Sequence, residues 1–446
     1  ANCKIRWKRI GIGIGRERLQ LAGIMNISDF NIEFDKIINR DYFSDKVHPM
    51  REKAFSKFLK IGLPTKKWED WRFTDLSSIS NSNFRISEKQ DAPNGDVDIS
   101  QYQIDDVETI VIYNGHYIET LSSIPSGIQL LSGLEYLEKI NWEFNSPEGS
   151  PFDLLNTAFM DSGMSIVVDQ NVIVEKPIRM LFISSGLENL MVTPRIHIDL
   201  GESSSATFIE DHRGDSDSFF QNGSTFVTLK QNAQLDHIRI QSNSVTTANI
   251  VSIQVEQNAD SRYTFFQFAD GSQLGRLNIY NKLKGEGANS DINGLTLSND
   301  SQHLDNHIIT DHQVPYCSSS QNFKSVLQDH SSGVFNGRTI VRKDAQKTDS
   351  SQSNKNLLLS KSALMNSNPQ LEIYADDVKC AHGSSTGTLD KNALFYLRSR
   401  GLDVMSAKAL LVRGFATELL DLVKHDGTRD FITDRFDSWL SENTTV

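Results

Sequence analysis

Four small-residue turns, Ser205-Ala206, Asn232-Ala233, Asn258-Ala259 and Gly287-Ala288, each precede a short strand-like run, and their alanines lie 27, 26 and 29 residues apart. A period of that length constrains the fold strongly. One such repeat is too short to bury its own apolar face and must stack on the next. The runs themselves, among them Ile196–Leu200, Ala206–Ile209, His237–Ile240, Ser252–Val255, Tyr263–Phe268 and Leu277–Ile279, alternate apolar and polar residues as half-buried strands do. The expectation is a mainly β chain whose core is a β-solenoid. A β-sandwich gives similar strands without the period.

The two ends read as helix. From Asp45 to Gly62, Met50, Ala54, Phe55, Phe58 and Leu59 share one face, and Gly62 stops the pattern. Trp68, Trp71 and Phe73 then stand as apolar anchors in a charged background, and residues 81–100, rich in Asn, Ser, Asp, Pro and Gly, read as a linker. Asp390 caps a helix that Gly401 ends, and a second helix carries Ala407, Leu410, Leu411, Phe415, Leu419 and Val423. The first 24 residues have no starting Met and hold six Lys/Arg against one Glu; they read as a leader or mis-assigned start. The expected division is a leader at 1–24, a helical region and linker at 25–100, a β core at 101–387 and a helical domain at 388–446.

A formal net charge of −12 argues against nucleic acid as the main partner. Three cysteines, Cys3, Cys317 and Cys380, are no disulfide framework and suit a reducing, cytoplasmic setting. No apolar run is long enough to span a membrane. The chain has no GxxxxGK[ST], GxSxG or HExxH, so no ATP site, serine elbow or zincin motif is expected in it, and it does not read as an enzyme.

The stretch LEIYADDVKCAHG, Leu371 to Gly383, is the most informative for chemistry. On an unbroken strand Cys380 and His382 point to one side, and a thiol with an imidazole suits a soft or borderline metal. Two ligands do not close a site, so the others must come from elsewhere or from another chain. The plainer alternative is a buried Cys beside a hydrogen-bonded surface His. His303, His307, His312 and Cys317 form a second set whose spacing fits no zinc pattern. Asp376 and Asp377, adjacent on a strand, point to opposite faces and make a poor catalytic pair.

The words AQKTDSSQSNKNLLLS, PQLEIYADDVKCAHGSSTGTLD, ALFYLRSRGLD and ALLVRGF, with DNHIITDHQVPYCSSSQNFKSVLQDHSSGVFNGR and GLPTKKWEDWRFTDL upstream, resemble the SufB/SufD family of the SUF iron–sulfur assembly machinery. The KCAHGSSTG stretch, where SufB-type members carry an EHEAT-like run, places the resemblance on the SufD side. The resemblance implies a right-handed parallel β-helix core between helical ends. It implies a scaffold that pairs with SufB through the β-helix and binds the ABC-type ATPase SufC through the C-terminal helices. By position it makes His382 and Cys380 ligand candidates for a transient cluster shared with SufB; it leaves flavin open. Leu411, Arg413, Phe415, Glu418 and Leu419, an apolar stripe beside charges, are the SufC-binding candidates. Two other classes compete: a carbohydrate-active β-helix enzyme, which calls for a carboxylate or basic cluster along a groove, and a purely structural adaptor.

Overall fold

The computed structural model describes residues 27–40, 47–93, 97–133, 135–136, 150–160, 163–214 and 218–443. The leader expected at 1–24 lies outside the described residues. Helices α1 (Ile27–Ile38) and α2 (Val47–Ile61) pair through Phe30, Phe34, Ile37, Ala54, Phe55 and Phe58, all buried, with Phe34 stacked on Phe55 at 4.0 Å between centroids. Gly62, at φ 73°, ends α2 by donating its N–H to the Phe58 carbonyl at 2.7 Å, a left-handed cap that suits glycine. A short helix α3 (Ser77–Ser80) follows, then strands β1 (Arg85–Ile86), β2 (Glu108–Tyr113), β3 (His116–Tyr117) and β4 (Ile128–Ser132). The stretch expected as a linker thus carries β1, which pairs with a later strand and buries Phe84 and Ile86. Helix α4 (Pro151–Phe159), not foreseen from the sequence, is buried along its whole length. It wedges Phe159 against Phe30, Phe34 and Phe55, and Phe152 against Trp71 and Phe220. Of the three expected anchors, Trp71 is buried and Phe73 is exposed.

The core runs through β5 (Gly163–Val168), β6 (Ile178–Ser184), β7 (Leu190–Val192), β8 (Arg195–Leu200), β9 (Ser205–Gly214), β10 (Phe219–Leu229), β11 (Gln234–Gln241), β12 (Ala248–Gln257), β13 (Arg262–Ala269), β14 (Leu274–Leu283) and β15 (Asn289–Ser298). It continues through β16 (His303–His312), β17 (Ser318–Leu327), β18 (Ser332–Val341), β19 (Asp349–Leu358), β20 (Leu364–Ile373) and β21 (Lys379–Gly387). Even strands from β8 onward stack in one sheet and odd strands from β9 onward in the other, always parallel, so each coil contributes one strand to each wall. About eight coils make a parallel β-solenoid, and the mainly β, helix-flanked architecture expected from the period is the one observed. At one end the coiling starts with reversed strands: β4 is antiparallel to β5, and β3 to β2.

The register shows what the period marks. Gln234, Arg262, Asn289, Ser318, Asp349 and Lys379 are consecutive partners, at steps of 28, 27, 29, 31 and 30 residues. Two residues before each of these positions, from Gln234 to Asp349, the chain turns with positive φ at Asn232, Asp260, Gly287, Tyr316 and Lys347, as it does at Ser203 before β9. The next residue, Ser204, Ala233, Ser261, Ala288, Cys317 or Thr348, is almost fully buried beneath the turn. Ala233 and Ala288 belong to this column; Ala206 instead sits on β9 opposite Leu235, and Ala259 lies earlier in its turn. Inward residues such as Ile198, Phe208, Val227, Ile253, Phe265, Ile279, Ile292, Ile308, Phe323 and Phe335 fill the lumen. Each such side chain contributes about 1.5–3 kcal/mol when fully buried.

The chain ends in α5 (Lys391–Ser399), α6 (Val404–Leu420) and α7 (Asp426–Asn443). Asp390 caps α5 through the Asn392 N–H at 2.8 Å, and Asp403 caps α6 through Met405 and Ser406. α6 and α7 lay Val412, Ala416, Leu419, Ile432, Phe436 and Trp439 on the outer wall formed by Ile238, Phe266, Leu295 and Val326. α5 buries no residue. No helix among the described residues is long and apolar enough to cross a membrane.

Candidate functional site

The stretch Leu371–Gly383 is two strands, not one. β20 ends at Ile373, residues 374–378 turn, and β21 begins at Lys379 on the opposite wall. Asp376 and Asp377 therefore lie in a turn, where Asp377 pairs with Lys347. Cys380 and His382 share β21, and two-residue spacing puts them on one face.

That face is the lumen face of the last coil. β20 and β21 are the terminal strands of their sheets. β21 is exposed at eight of its nine residues, so nothing among the described residues covers it. In register, His382 tops the column Ile178, Phe208, His237, Phe265, Ile292, Gln321 and Gln352. Cys380 tops Ala206, Leu235, Tyr263, Ser290, Ser319 and Ser350 in the same way. Both columns become polar over their last rungs. Ser319 and Ser350 are linked by hydroxyls 3.0 Å apart, and Gln352 donates to Thr339 Oγ1 at 2.8 Å. The buried side-chain oxygens of Gln321, Gln352 and Asn356 have no hydrogen-bond partner among the described residues, so the lumen beneath His382 keeps acceptor capacity. This polar end carries no sequence motif; only the register reveals it.

The backbone adds a second feature. Lys379 donates its N–H to Thr348 O at 2.8 Å, toward the preceding coil. Backbone groups of a strand alternate sides residue by residue. Hence Cys380, His382, Ser384 and Thr386 aim both N–H and C=O at the open edge. Long unpaired edges of this kind are templates for pairing with another chain.

Chemically the pair is modest. The Cys380 thiol packs half-buried against Val341, Ala345, Ala375 and Val378. Burial, and then the nearby Asp349 charge, push its pKa up, so it is a thiol at neutral pH and must lose a proton to bind a metal. No group of three or more His, Cys, Asp or Glu side chains suited to a metal occurs among the described residues. Cys380 and His382 can therefore supply two ligands at most.

The second histidine set does not converge. His303 points outward, between Thr74 Oγ1 at 3.0 Å and Ser332 Oγ at 2.7 Å. His307 faces Asp305 at 3.0 Å. His312 points into the lumen, 2.9 Å from Ser319 Oγ. Cys317 belongs to the buried turn column; its thiol donates to Gly285 O at 3.3 Å, and burial pushes its pKa up to about 11.

On α6 the candidate docking residues are largely spent inside the chain. Leu419 is fully buried against the solenoid. Lys324 Nζ donates to Glu418 at 2.6 Å and to Phe415 O at 2.8 Å, and lies 5.3 Å from the Phe415 ring centroid. Arg413 pairs with Asp437, and Leu411 is half-buried. The large apolar side chains left exposed here are Phe395 and Tyr396 on α5, Leu410 on α6 and Leu422 just after it.

Comparison with known proteins agrees with this layout. Residues 182–415 match the model of the SufBD core domain of SUF-system FeS cluster assembly, and residues 29–180 match that of the SufBD N-terminal region. The chain is 30% identical over 426 residues to the Escherichia coli protein called iron–sulfur cluster assembly protein SufD, covering 93% of this chain and 98% of that protein. It is 29% identical over 392 residues to a SufBD family protein of Synechocystis, covering 84% and 86%. It is 30% identical over 400 residues to the chloroplastic protein ABCI7 of Arabidopsis thaliana, covering 85% and 83%. The matched models together reach from the first described helix through the open last coil into α6, and the chain belongs to the SufBD family of SUF iron–sulfur cluster assembly proteins.

Proposed function

We propose that this chain is a non-catalytic scaffold subunit that pairs with SufB through its open last coil, carries SufC on its C-terminal helices, and presents His382, with Cys380 second, to a cluster built at the junction. The observation that carries this reading is the uncovered β20–β21 coil with both side chains on its lumen face. A two-ligand site needs a second subunit, and an edge with free backbone groups supplies the means to recruit one. SufC docking falls to α5 and the exposed side of α6, since α6 commits its inner face to the solenoid.

The test is His382→Ala in the complex co-expressed with SufB and SufC. The complex should assemble with little change in melting temperature. The variant should lose most iron–sulfur enzyme maturation in cells without another assembly system, while Cys380→Ser loses less. Maturation at the wild-type rate by His382→Ala would leave the chain a structural partner of SufB.

A further inference from the structure

The turn column places a residue with positive φ in each coil from Ser203 to Lys347; Asp377, at the same place in the last coil, is not among them. Small or short polar residues hold it at first: Ser203, Asn232, Asp260 and Gly287. Asn, Asp and Gly are the residues that tolerate the left-handed region, and a bulky one there is strained. Two coils from the open end the column switches to Tyr316, at φ 60°, and then to Lys347, at φ 62°. The Tyr316 side chain does not explain the strain locally. It is 63% exposed, and its hydroxyl makes no hydrogen bond among the described residues. Pro315 sets the turn before it, and the Tyr316 N–H reaches Gln346 O in the next coil at 3.0 Å, so the backbone that holds this conformation is tied down.

The same corner of the last coil carries Tyr374, 61% exposed, beside Ile373, 40% exposed. The corner column leads to the open edge by backbone bonds: Tyr316 N to Gln346 O, then Lys347 N to Asp377 O at 2.7 Å, one residue before Val378 and β21. Exposed aromatics concentrated at the corner of the open coils, one of them kept at a strained backbone position, are the composition of an interface anchor.

We infer that Tyr316, with Tyr374, is a lateral anchor that extends the contact with the second solenoid subunit from the β20–β21 edge onto this corner; the inference rests on the open-edge reading of the preceding subsection. The occupant is that partner solenoid because the corner is continuous with the edge it pairs on. Tyrosine suits the role: it offers a large rigid face and a polar tip at low entropic cost.

The test substitutes Tyr316→Asn, the residue the solenoid itself uses at Asn232. It measures two quantities: the melting temperature of the isolated chain and the Kd for SufB in the presence of SufC. Relief of the left-handed strain should hold the melting temperature or raise it by about 2–4 °C. Loss of the anchor should weaken pairing by roughly tenfold or more. Tyr374→Ser should weaken pairing in the same direction. A lower melting temperature for Tyr316→Asn would mean the side chain is structural and would overturn the inference, as would an unchanged Kd. Ser384→Pro, which acts on the β21 edge, runs in parallel. If it alone weakens pairing, the edge reading stands and the anchor is wrong. If neither does, both are wrong.

Discussion

Proline at Ser384 separates the open edge from the fold that carries it. Ser384 belongs to the set whose N–H faces outward, so a proline there removes no ladder bond to β19, and edge strands tolerate proline at such positions. The intrachain loss is confined to the hydroxyl contact with Ser367 Oγ at 2.7 Å, worth about 1 kcal/mol, which Ser384→Ala measures alone. In the proposed edge pairing the same change removes one interstrand donor and leaves a carbonyl of the partner buried without a partner of its own. That costs about 2–4 kcal/mol in all, roughly thirty-fold to several-hundred-fold in Kd. The assay is titration of the variant chain against SufB with SufC present, beside melting curves of the isolated chain. Ser384→Pro should melt close to Ser384→Ala and pair far more weakly. Equal Kd values for the two variants would refute the edge-pairing argument. A large drop in melting temperature specific to proline would refute the assignment of which backbone groups face out.

Two further outcomes concern the solenoid itself. Burial lowers the His312 pKa to about 4, against about 6.5 in the unfolded chain, so its contribution is complete above pH 6.5 and is lost as pH falls toward 4. About 2 kcal/mol should be gone by pH 5, and His312→Gln should flatten that part of the melting-temperature profile; an identical slope in the variant would remove His312 as its source. Gly285→Ala should destabilise the chain by more than about 2 kcal/mol, because the added Cβ would collide with the Ala259 backbone nitrogen of the neighbouring coil; denaturant unfolding with an unchanged midpoint would contradict that packing.

The period was legible because stacking forces each coil to nearly the same length, while its marker was displaced: the repeated feature is a left-handed residue followed by a small buried one, and serine, cysteine and threonine serve there as well as alanine. Cys317 looked like a candidate for chemistry for that reason. The helical ends were legible from spacing and caps, as Gly62, Asp390 and Gly401 illustrate. α4 was missed although Asp153, Asn156 and Thr157 recur at helical spacing: it has only nine residues, and its polar face is buried like its apolar one instead of facing solvent. The pairing of Cys380 with His382 followed from strand alternation, although the turn at 374–378 detaches them from Leu371. The free edge of β21 and the polar rungs under His382 were beyond reach, because both depend on partners about thirty residues away. The stripe on α6 was seen, but spacing alone does not say which of its residues the solenoid takes; Lys324 and the wall decide that.

The two ends of the coil stack are built unequally. One end begins in short reversed strands, β3 of two residues and β4 of five; the other stops in parallel strands of ten and nine residues with nothing among the described residues over them. A stack that was adhesive at both ends would add copies head to tail and grow into a fibre. With a single adhesive end, the first partner to dock uses up the only growth point. On the pairing proposed above, growth therefore terminates at two subunits, and the place where the strands stop stacking sets that stoichiometry.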